Sequence, residues 1–427
     1  MRLTNVAQMA LPDGRVRSLA LAADGAGSRL PVSFDQGRHV GEGDRPGSWM
    51  ALALRLPGPA DEVALAAAWA AVVARHGTLR TVFSRDDAGA LVLETAALGT
   101  GEWIEHPVPH GRATREVLRD VLDASCRPFS RPSHRLCLIE PGAGAPDPRP
   151  ALVIAADHSH VDMWSVLVLA RDLFAALDGA ALEPAPAFAE HTAVLAAMPP
   201  APEAVTERWR GILDAEGGMM PVFPLGLGDV SEPRAEVVEV RDVLDAPGEA
   251  RLTRRAEALG VRAIALAMSV LADVTRRLAD RPLRAVFPVH SRNEPRWHDA
   301  VGWFITNAVI ECADPDPGAC AVAVREAIAL GSYPLAPILA PYGGMPATPG
   351  MFAISWLDAR RMPIALDPTL EAQYVSAVIR TDGVMIWFIA NDTGLHLRCR
   401  YPDTPEARAN VGAWLDAIGA GLAAVAT

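Results

Sequence analysis

The spacing of apolar residues predicts alternating strands and helices along the first part of the chain. Residues 50–56 alternate methionine and leucine with small or polar residues, a period of two that indicates a strand ending at Pro57-Gly58. The next stretch, 61–77, carries apolar residues on one helical stripe, begins at the capping residue Asp61 and ends at a glycine. A helix should therefore follow this first strand directly.

The second half of the chain repeats the mixture of strands and helices. The pattern predicts helices at 262–280, near 319–330 and at 404–424, strands at 283–289 and 301–311, and a hairpin over 384–401. The hairpin turn is the sequence Asn391-Asp-Thr-Gly. Because no GxGxxG motif opens any helix, we expect a mixed α/β (α+β) fold that is not a Rossmann enzyme.

A stretch rich in proline and alanine, residues 184–204, is the best candidate for a connection between two halves. With 427 residues, half of them apolar, the chain is long enough for two domains or one bilobed unit. We therefore predict an N-terminal lobe at 1–185, a connection at 186–204 and a C-terminal lobe at 205–427.

Composition excludes several classes of function. A formal charge of -12, with no basic block, argues against a nucleic-acid partner. The sequence contains no lysine, which removes Schiff-base and P-loop lysine chemistry. Five cysteines without a CxxC pair suggest neither a disulfide framework nor a cysteine zinc site. No signal peptide and no run of 18 apolar residues is visible, so we expect a soluble cytoplasmic protein without a membrane span.

The stretch 154–166, IAADHSHVDMWSV, concentrates the polar chemistry of the chain. His158-x-His160-x-Asp162 resembles the start of the zinc motif of metallo-β-lactamase-fold hydrolases, but Met163 stands where that motif has its last histidine. Alternatively, His158 is a neutral general base at the start of a helix, whose dipole disfavours a protonated imidazole. In the third interpretation, His158 is an ordinary loop histidine and Asp162 only a helix cap. The residues alone leave these three readings open.

The segment DHSHVDMWSV resembles the HHxxxDG signature of nonribosomal-peptide condensation domains and related polyketide-associated acyltransferases, in the chloramphenicol-acetyltransferase-like superfamily. In this match Asp157 takes the place of the first histidine, His158 of the second and catalytic one, Asp162 of the aspartate and Met163 of the glycine. Further segments match in the expected order: Ser33, Gln36 and Arg38 of the S-x-A-Q-x-R opening, RHGTLRTVF at 75–83, VGWFITNAVIE at 301–311 and ISWLDARRMP at 354–363.

The resemblance implies two chloramphenicol-acetyltransferase-like lobes in a V-shaped pseudo-dimer, with the active site at their interface. It implies a stand-alone enzyme that moves an acyl group from a thioester to an alcohol or amine, forming an ester or amide in natural-product or lipid biosynthesis. The thioester is carried on the phosphopantetheine of an acyl or peptidyl carrier protein, the expected partner, or on coenzyme A. No metal and no permanently bound cofactor are implied, and we expect a monomer.

The resemblance also implies roles for single residues. His158 is the catalytic residue, and Asp162 has a structural role, paired with an arginine for which Arg292 is our candidate. The residues expected to line the substrate tunnel are Met163, Trp164, Trp303, Asn307 and Ser355. Two departures from the motif stand out: Asp157, at a position that is not the essential one, and Met163, where glycine would permit a special backbone angle or leave room for substrate. Because relatives with altered motifs keep the fold, a non-catalytic recruitment module is the alternative.

Overall fold

The computed structural model describes residues 2–25, 27–364 and 366–427. Its helices are α1 (Phe34–Gly41), α2 (Glu62–Arg75), α3 (Thr114–Ser125), α4 (Met163–Leu177), α5 (Phe188–Ala196), α6 (Glu203–Asp214), α7 (Ala246–Ala258), α8 (Ala263–Ala279), α9 (Pro317–Leu330), α10 (Leu335–Leu339) and α11 (Pro405–Val425). Among these described residues no single helix is long and apolar enough to cross a membrane, although α7 with α8, and α9 with α10 and residues up to Tyr342, pass the same test as bent pairs.

The strands before residue 197 are β1 (Arg2–Asn5), β2 (Gly14–Ala20), β3 (Ala23–Asp24), β4 (Arg29–Leu30), β5 (Trp49–Arg55), β6 (Thr81–Arg85), β7 (Leu91–Thr95), β8 (Ala97–Leu98), β9 (Glu102–His106), β10 (His134–Pro141) and β11 (Ala151–Asp157). The later strands are β12 (Arg234–Asp245), β13 (Leu283–His290), β14 (Ile305–Cys312), β15 (Phe352–Asp358), β16 (Gln373–Ser376), β17 (Arg380–Thr381), β18 (Val384–Asn391) and β19 (Gly394–Pro402). Helices and strands are thus mixed in both halves, as the apolar spacing predicted.

The chain forms two compact units, and the first contains residues up to Ala197 together with 292–304 and 362–378. Its main sheet has the order β1-β16-β5-β11-β10-β2-β9. β16 is contributed by the late segment and pairs parallel to β1 and antiparallel to β5. β11 lies in the middle of the sheet and every one of its residues is buried. The strand that leads into the motif is therefore buried along its whole length.

The predicted strand at 50–56 is confirmed as β5, with a burial pattern that its sequence alternation does not show. Ala51 and Ala53 are as fully buried as Leu52 and Leu54. β5 lies between β16 and β11, so it is an inner strand of the sheet. The leucines of β5 point to one face of the sheet and the alanines to the other. Because both sets are buried, both faces of β5 belong to the core.

The second unit contains residues 198–291, 305–361 and 379–427. Its sheet has the order β14-β13-β15-β18-β19-β12-β17. The predicted hairpin is confirmed: β18 and β19 pair antiparallel and close at Asn391 and Gly394. One face of this sheet packs on a core that contains the fully buried Trp414 of α11 and residues of α8 and α9.

One predicted strand differs from the structure, and the predicted connection contains a helix. The strand predicted at 301–311 begins only at Ile305, because residues 301–304 belong to the first unit. The proline- and alanine-rich connection at 186–204 is not an irregular linker, since it contains all of α5, whose Phe188 packs in a small core with Phe304. The chain passes from the first unit to the second after Ala197, within that connection. The lobes at 1–185 and 205–427 stay predictions.

Candidate active site

The motif occupies the short connection between β11 and α4. β11 ends at the buried Asp157, and the backbone N–H of His160 donates to its carbonyl oxygen over 2.9 Å, which closes a tight turn. Asp162 is the N-cap of α4, and its Oδ1 accepts a hydrogen bond of 2.7 Å from the N–H of Ser165. This cap satisfies one of the free N–H groups at the helix start. Strand end and helix start thus hold His158 from both sides.

The imidazole of His158 has a defined tautomer. Its Nδ1 lies 2.8 Å from the carbonyl oxygen of Val161, and because a carbonyl only accepts, Nδ1 carries the proton. The lone pair is then on Nε2. Burial lowers the pKa of His158, and the charge of His39, when protonated, lowers that pKa further. The ring is consequently neutral near pH 7 and has a nitrogen that can accept a proton.

Trp303 packs against the candidate base. The two rings are stacked, with centroids 4.1 Å apart and an angle of 19° between their planes. The same indole also meets the ring of His39, at 5.1 Å and 72°, in an edge-on arrangement. Trp303 therefore restricts rotation of the His158 ring, and its π-face would favour the imidazolium that forms when the ring takes a proton.

Asp162 and Arg292 form a buried ion pair. Arg292 Nη1 donates to Asp162 Oδ2 over 2.5 Å, and the same oxygen accepts a 3.1 Å hydrogen bond from the N–H of Phe304. The guanidinium lies 3.9 Å from the centre of the Phe304 ring. Burial alone would raise the pKa of Asp162, but the charge and hydrogen bond of Arg292 lower it. Both partners are ionised, and neither side chain is exposed by more than 2%.

Ser165 ties the segment 292–304 to the start of α4. Its hydroxyl donates to the carbonyl of Gly302 over 2.9 Å and accepts from the N–H of Gly302 and from Arg292 Nη2. A Cβ atom at Gly302 would lie 2.3 Å from the Phe188 ring, so only glycine fits there. The segment that supplies Arg292 and Trp303 is therefore fixed next to the motif.

Asp157, which stands at the first histidine position, is completely buried and well satisfied. Its carboxylate accepts from the hydroxyl of Ser48 at 2.5 Å, and from the N–H and hydroxyl of Ser159 at 2.9 and 2.5 Å. His39 Nε2 lies 3.3 and 3.4 Å from the two carboxylate oxygens. Burial would raise the pKa of Asp157, but the hydrogen bond from His39, with those from the two serines, lowers it to about 2.

The opening motif at 33–38 and the turn that contains His158 touch each other. Ser33 caps α1 and forms a reciprocal capping box with Gln36. The Gln36 side chain is buried and donates from Nε2 to the carbonyl oxygen of Ser159 over 2.8 Å. α1 therefore holds the turn that contains His158, although 123 positions separate the two partners.

The zinc interpretation has no support in the arrangement of the three candidate ligands. His160 is buried, with Nδ1 2.9 Å from the Ser159 hydroxyl and Nε2 3.3 Å from the carbonyl of Thr81. His158 is directed to Val161 and Asp162 to Arg292, as described above. In the part of the chain that the structure describes, no three histidine, cysteine, aspartate or glutamate side chains converge on one point.

Comparison with known proteins identifies the family. The family model of the condensation domain matches residues 42–317, well over half of the chain. The chain belongs to the condensation-domain family. It is 25% identical over 423 residues to the acyltransferase PapA3 of Mycobacterium tuberculosis, covering 91% of this chain and 87% of that protein. It is also 31% identical over 318 residues to the probable nonribosomal peptide synthetase CymA of Salinispora arenicola, covering 67% of this chain but 4% of that protein.

Solved structures agree on the fold. The PapA2 acyl transferase superposes over 100% of both chains with a TM-score of 0.84 and 21% identity. The first condensation domain of the calcium-dependent antibiotic synthetase covers 94% of this chain, and 97% of its own length is matched, with a TM-score of 0.72 and 17% identity. The expectation of a chloramphenicol-acetyltransferase-like condensation fold is thus confirmed. With the named relatives, it makes this protein an acyltransferase.

The predicted tunnel residues of this condensation-domain acyltransferase are divided between the two units. In the first unit, Trp303 contacts His158, and Trp164 donates from its indole N–H to the carbonyl of His298 over 2.9 Å. Asn307 and Ser355 belong to the second unit. There they lie on one face of the sheet, because β14 and β15 both flank β13 in matching register. Their place in a substrate path stays a prediction.

Met163 stands at the motif glycine position without backbone strain. It is the first residue of α4, and Asp280 and Glu371 are the non-glycine residues with positive φ in the described part of the chain. Its carbonyl oxygen accepts a 3.0 Å hydrogen bond from the Tyr374 hydroxyl. A special backbone angle is therefore no reason for glycine here, and the space taken by the side chain is the remaining consequence.

Sequence reasoning missed His39, Arg45 and Ser48. It treated Asp157 only as a replaced motif histidine, whereas a buried carboxylate needs donors or a positive partner. The need for such donors could have been inferred from the sequence. Their identity could not, because they lie at the end of α1 and directly before β5, more than 100 positions away in sequence.

Proposed function

We propose that this acyltransferase moves an acyl group from a thioester to an alcohol or amine acceptor and forms an ester or an amide, with His158 as general base. The observation that carries the proposal is the orientation of the His158 ring. Its Nδ1–H is bound to the Val161 carbonyl, so the lone pair on Nε2 is the one that can accept a proton.

In the proposed reaction the acceptor O–H or N–H gives its proton to Nε2 of His158 while its heteroatom attacks the thioester carbonyl. A new C–O or C–N bond forms, and the tetrahedral intermediate collapses with cleavage of the C–S bond. The proton on Nε2 then passes to the departing thiolate, which restores the neutral ring. The N-terminal end of α4, directly after the motif, favours the negative charge that develops on the carbonyl oxygen.

The remaining predicted residues take supporting roles in this proposal. Asp162 and Arg292 hold the motif in place as a buried pair and do not touch the substrate. Met163, Trp164 and Trp303 line the substrate path in the first unit. Asn307 and Ser355 line it in the second.

For the donor, we propose a thioester on the phosphopantetheine of an acyl or peptidyl carrier protein, with coenzyme A as the second possibility. Condensation domains work with carrier proteins in peptide and polyketide assembly. Relatives that are named acyltransferases and peptide synthetases favour a role in lipid or natural-product biosynthesis. The donor thioester then supplies the only phosphopantetheine group that the reaction needs.

The test compares one acyl chain presented as a carrier-protein thioester and as a coenzyme A thioester, with a panel of alcohols and amines and detection of products by mass spectrometry. His158→Ala should lower the rate by about 10² to 10⁴. His160→Gln is the matched control, because it changes a buried neighbour that faces Thr81. Rates are measured below the melting temperatures of both variants. Equal losses in the two variants would contradict a base role for His158.

A further inference from the structure

The residues around Asp157 lie directly beside the candidate base His158. At the position where the family motif has its first histidine, this chain has a carboxylate that is 0% exposed. A buried carboxylate is costly unless a positive group and hydrogen-bond donors compensate it. Ser48 and Ser159 donate hydroxyl hydrogen bonds to it, and the basic side chain at contact distance is His39.

The orientation of His39 follows from its second neighbour. Arg45 Nη2 lies 3.1 Å from His39 Nδ1, and Arg45 Nη1 donates to the His39 carbonyl oxygen over 2.9 Å. A guanidinium group only donates, so Nδ1 of His39 accepts and Nε2–H is the donor to Asp157. Arg45, His39 and Asp157 therefore form an ordered chain of hydrogen bonds.

These hydrogen-bonded residues contact the candidate base in two ways. Asp157 is the residue directly before His158, and its carboxylate holds the turn through Ser159. His39 meets the edge of Trp303, the ring on which His158 is stacked, and the centroids of the two histidine rings are 6.2 Å apart. A change in His39 or Asp157 is thus transmitted to the base through direct contacts.

We propose that His39 and Asp157 act together as positioning residues that orient the His158 ring for proton transfer. The inference rests on the proposed function of His158 as the base. Asp157 attracts a proton to His158, whereas His39, whose Nδ1 accepts from Arg45, is neutral and acts through its contacts.

The two residues differ in their electrostatic effect on His158. Burial is the largest cause of the lowered pKa of His158, and the charge of Asp157 opposes it, whereas the His39 ring that accepts from Arg45 has no net charge. Two unit charges about 6 Å apart shift a titration by about half a pH unit even at the dielectric constant of water. The other titratable or charged groups around this site are His160, Asp162, Arg292 and Arg45.

The experiment measures kcat/KM against pH for the wild type, His39→Gln, His39→Leu and Asp157→Asn. His39→Gln keeps a donor for Asp157, whereas His39→Leu removes it. We expect the acidic inflection to move down by about half a unit in Asp157→Asn and to stay unchanged in both His39 variants. At the pH plateau, His39→Leu should lose up to about 100-fold through a displaced ring, and His39→Gln much less.

Titration of labelled histidine side chains by NMR gives a second readout that needs no substrate, with the His158 signal assigned from His158→Gln. His106→Gln, a change on the edge strand β9, is the control and should leave the His158 titration unchanged. An unshifted His158 titration in Asp157→Asn, or equal plateau losses in His39→Gln and His39→Leu, would overturn the inference. If Asp157→Asn does not fold, the comparison of the two His39 variants decides. Absence of turnover in the wild type would instead count against the proposed function.

Discussion

The buried pair of Asp162 and Arg292 allows a sharp prediction about stability. Asp162→Asn keeps the size of the side chain and an oxygen that can cap α4, because asparagine is as good an N-cap as aspartate. The substitution removes the negative charge and puts an amide N–H2 in place of Oδ2, which accepts from Arg292 and from the N–H of Phe304. Arg292, which is 2% exposed, then remains as a buried cation beside Phe304 without a charged partner.

The magnitude follows from the burial of both partners. Removing one member of a buried pair costs about 3 to 5 kcal/mol, because the other charge stays desolvated. For a compact unit of 150 to 250 residues, each kcal/mol lowers the melting temperature by about 2 to 4 °C. We therefore expect Asp162→Asn to lower the melting temperature of the first unit by about 6 to 20 °C at pH 7.

The difference in melting temperature between the wild type and Asp162→Asn should become smaller as pH falls. The pKa of Asp162 is lower in the folded protein than in the unfolded chain, where it is about 3.9. The pair therefore stabilises the fold fully above the unfolded pKa and loses its contribution as pH falls through the folded pKa. The melting temperatures of wild type and Asp162→Asn should approach each other only below about pH 4.

The assay is thermal unfolding followed by circular dichroism, with Asp61→Asn as the matched control. Asp61 caps α2 through the N–H groups of Val63 and Ala64 but is exposed, so its exchange for asparagine should be nearly neutral. In the double variant Asp162→Asn with Arg292→Met, part of the loss should be recovered, since no buried charge is left. A shift for Asp162→Asn no larger than that for Asp61→Asn would refute the reasoning.

Two further predictions concern substrate range and metal. Met163→Gly should widen the range of acyl donors or acceptors at a stability cost of up to about 1 kcal/mol, measured as kcat/KM over a substrate series, and unchanged selectivity would show that the position is silent. Incubation with a strong zinc chelator should leave the transfer rate unchanged, since His158, His160 and Asp162 each have other partners. If the chelator abolishes activity and added zinc restores it, the metallohydrolase interpretation would be favoured instead.

Local features of this protein could be predicted from the sequence because they depend on residues close together in the chain. The period-two pattern before Pro57 indicated β5, and the Asn391-Asp-Thr-Gly turn indicated the β18–β19 hairpin. Asp162 was a possible cap because aspartate before an apolar helix satisfies free N–H groups. The motif resemblance added the family, and through it the partner proposed for Asp162.

The tertiary structure decided which residues compensate the charge of Asp157, and it fixed the partner that the resemblance had suggested for Asp162. Asp162 meets Arg292 across 130 positions, and Asp157 meets His39 across 118. Burial demands a partner for each carboxylate, but many of the arginines and histidines in this sequence satisfy that demand equally well. Which of them does so depends on the elements that sheet pairing and core packing bring together, and that depends on the whole chain rather than on any local pattern.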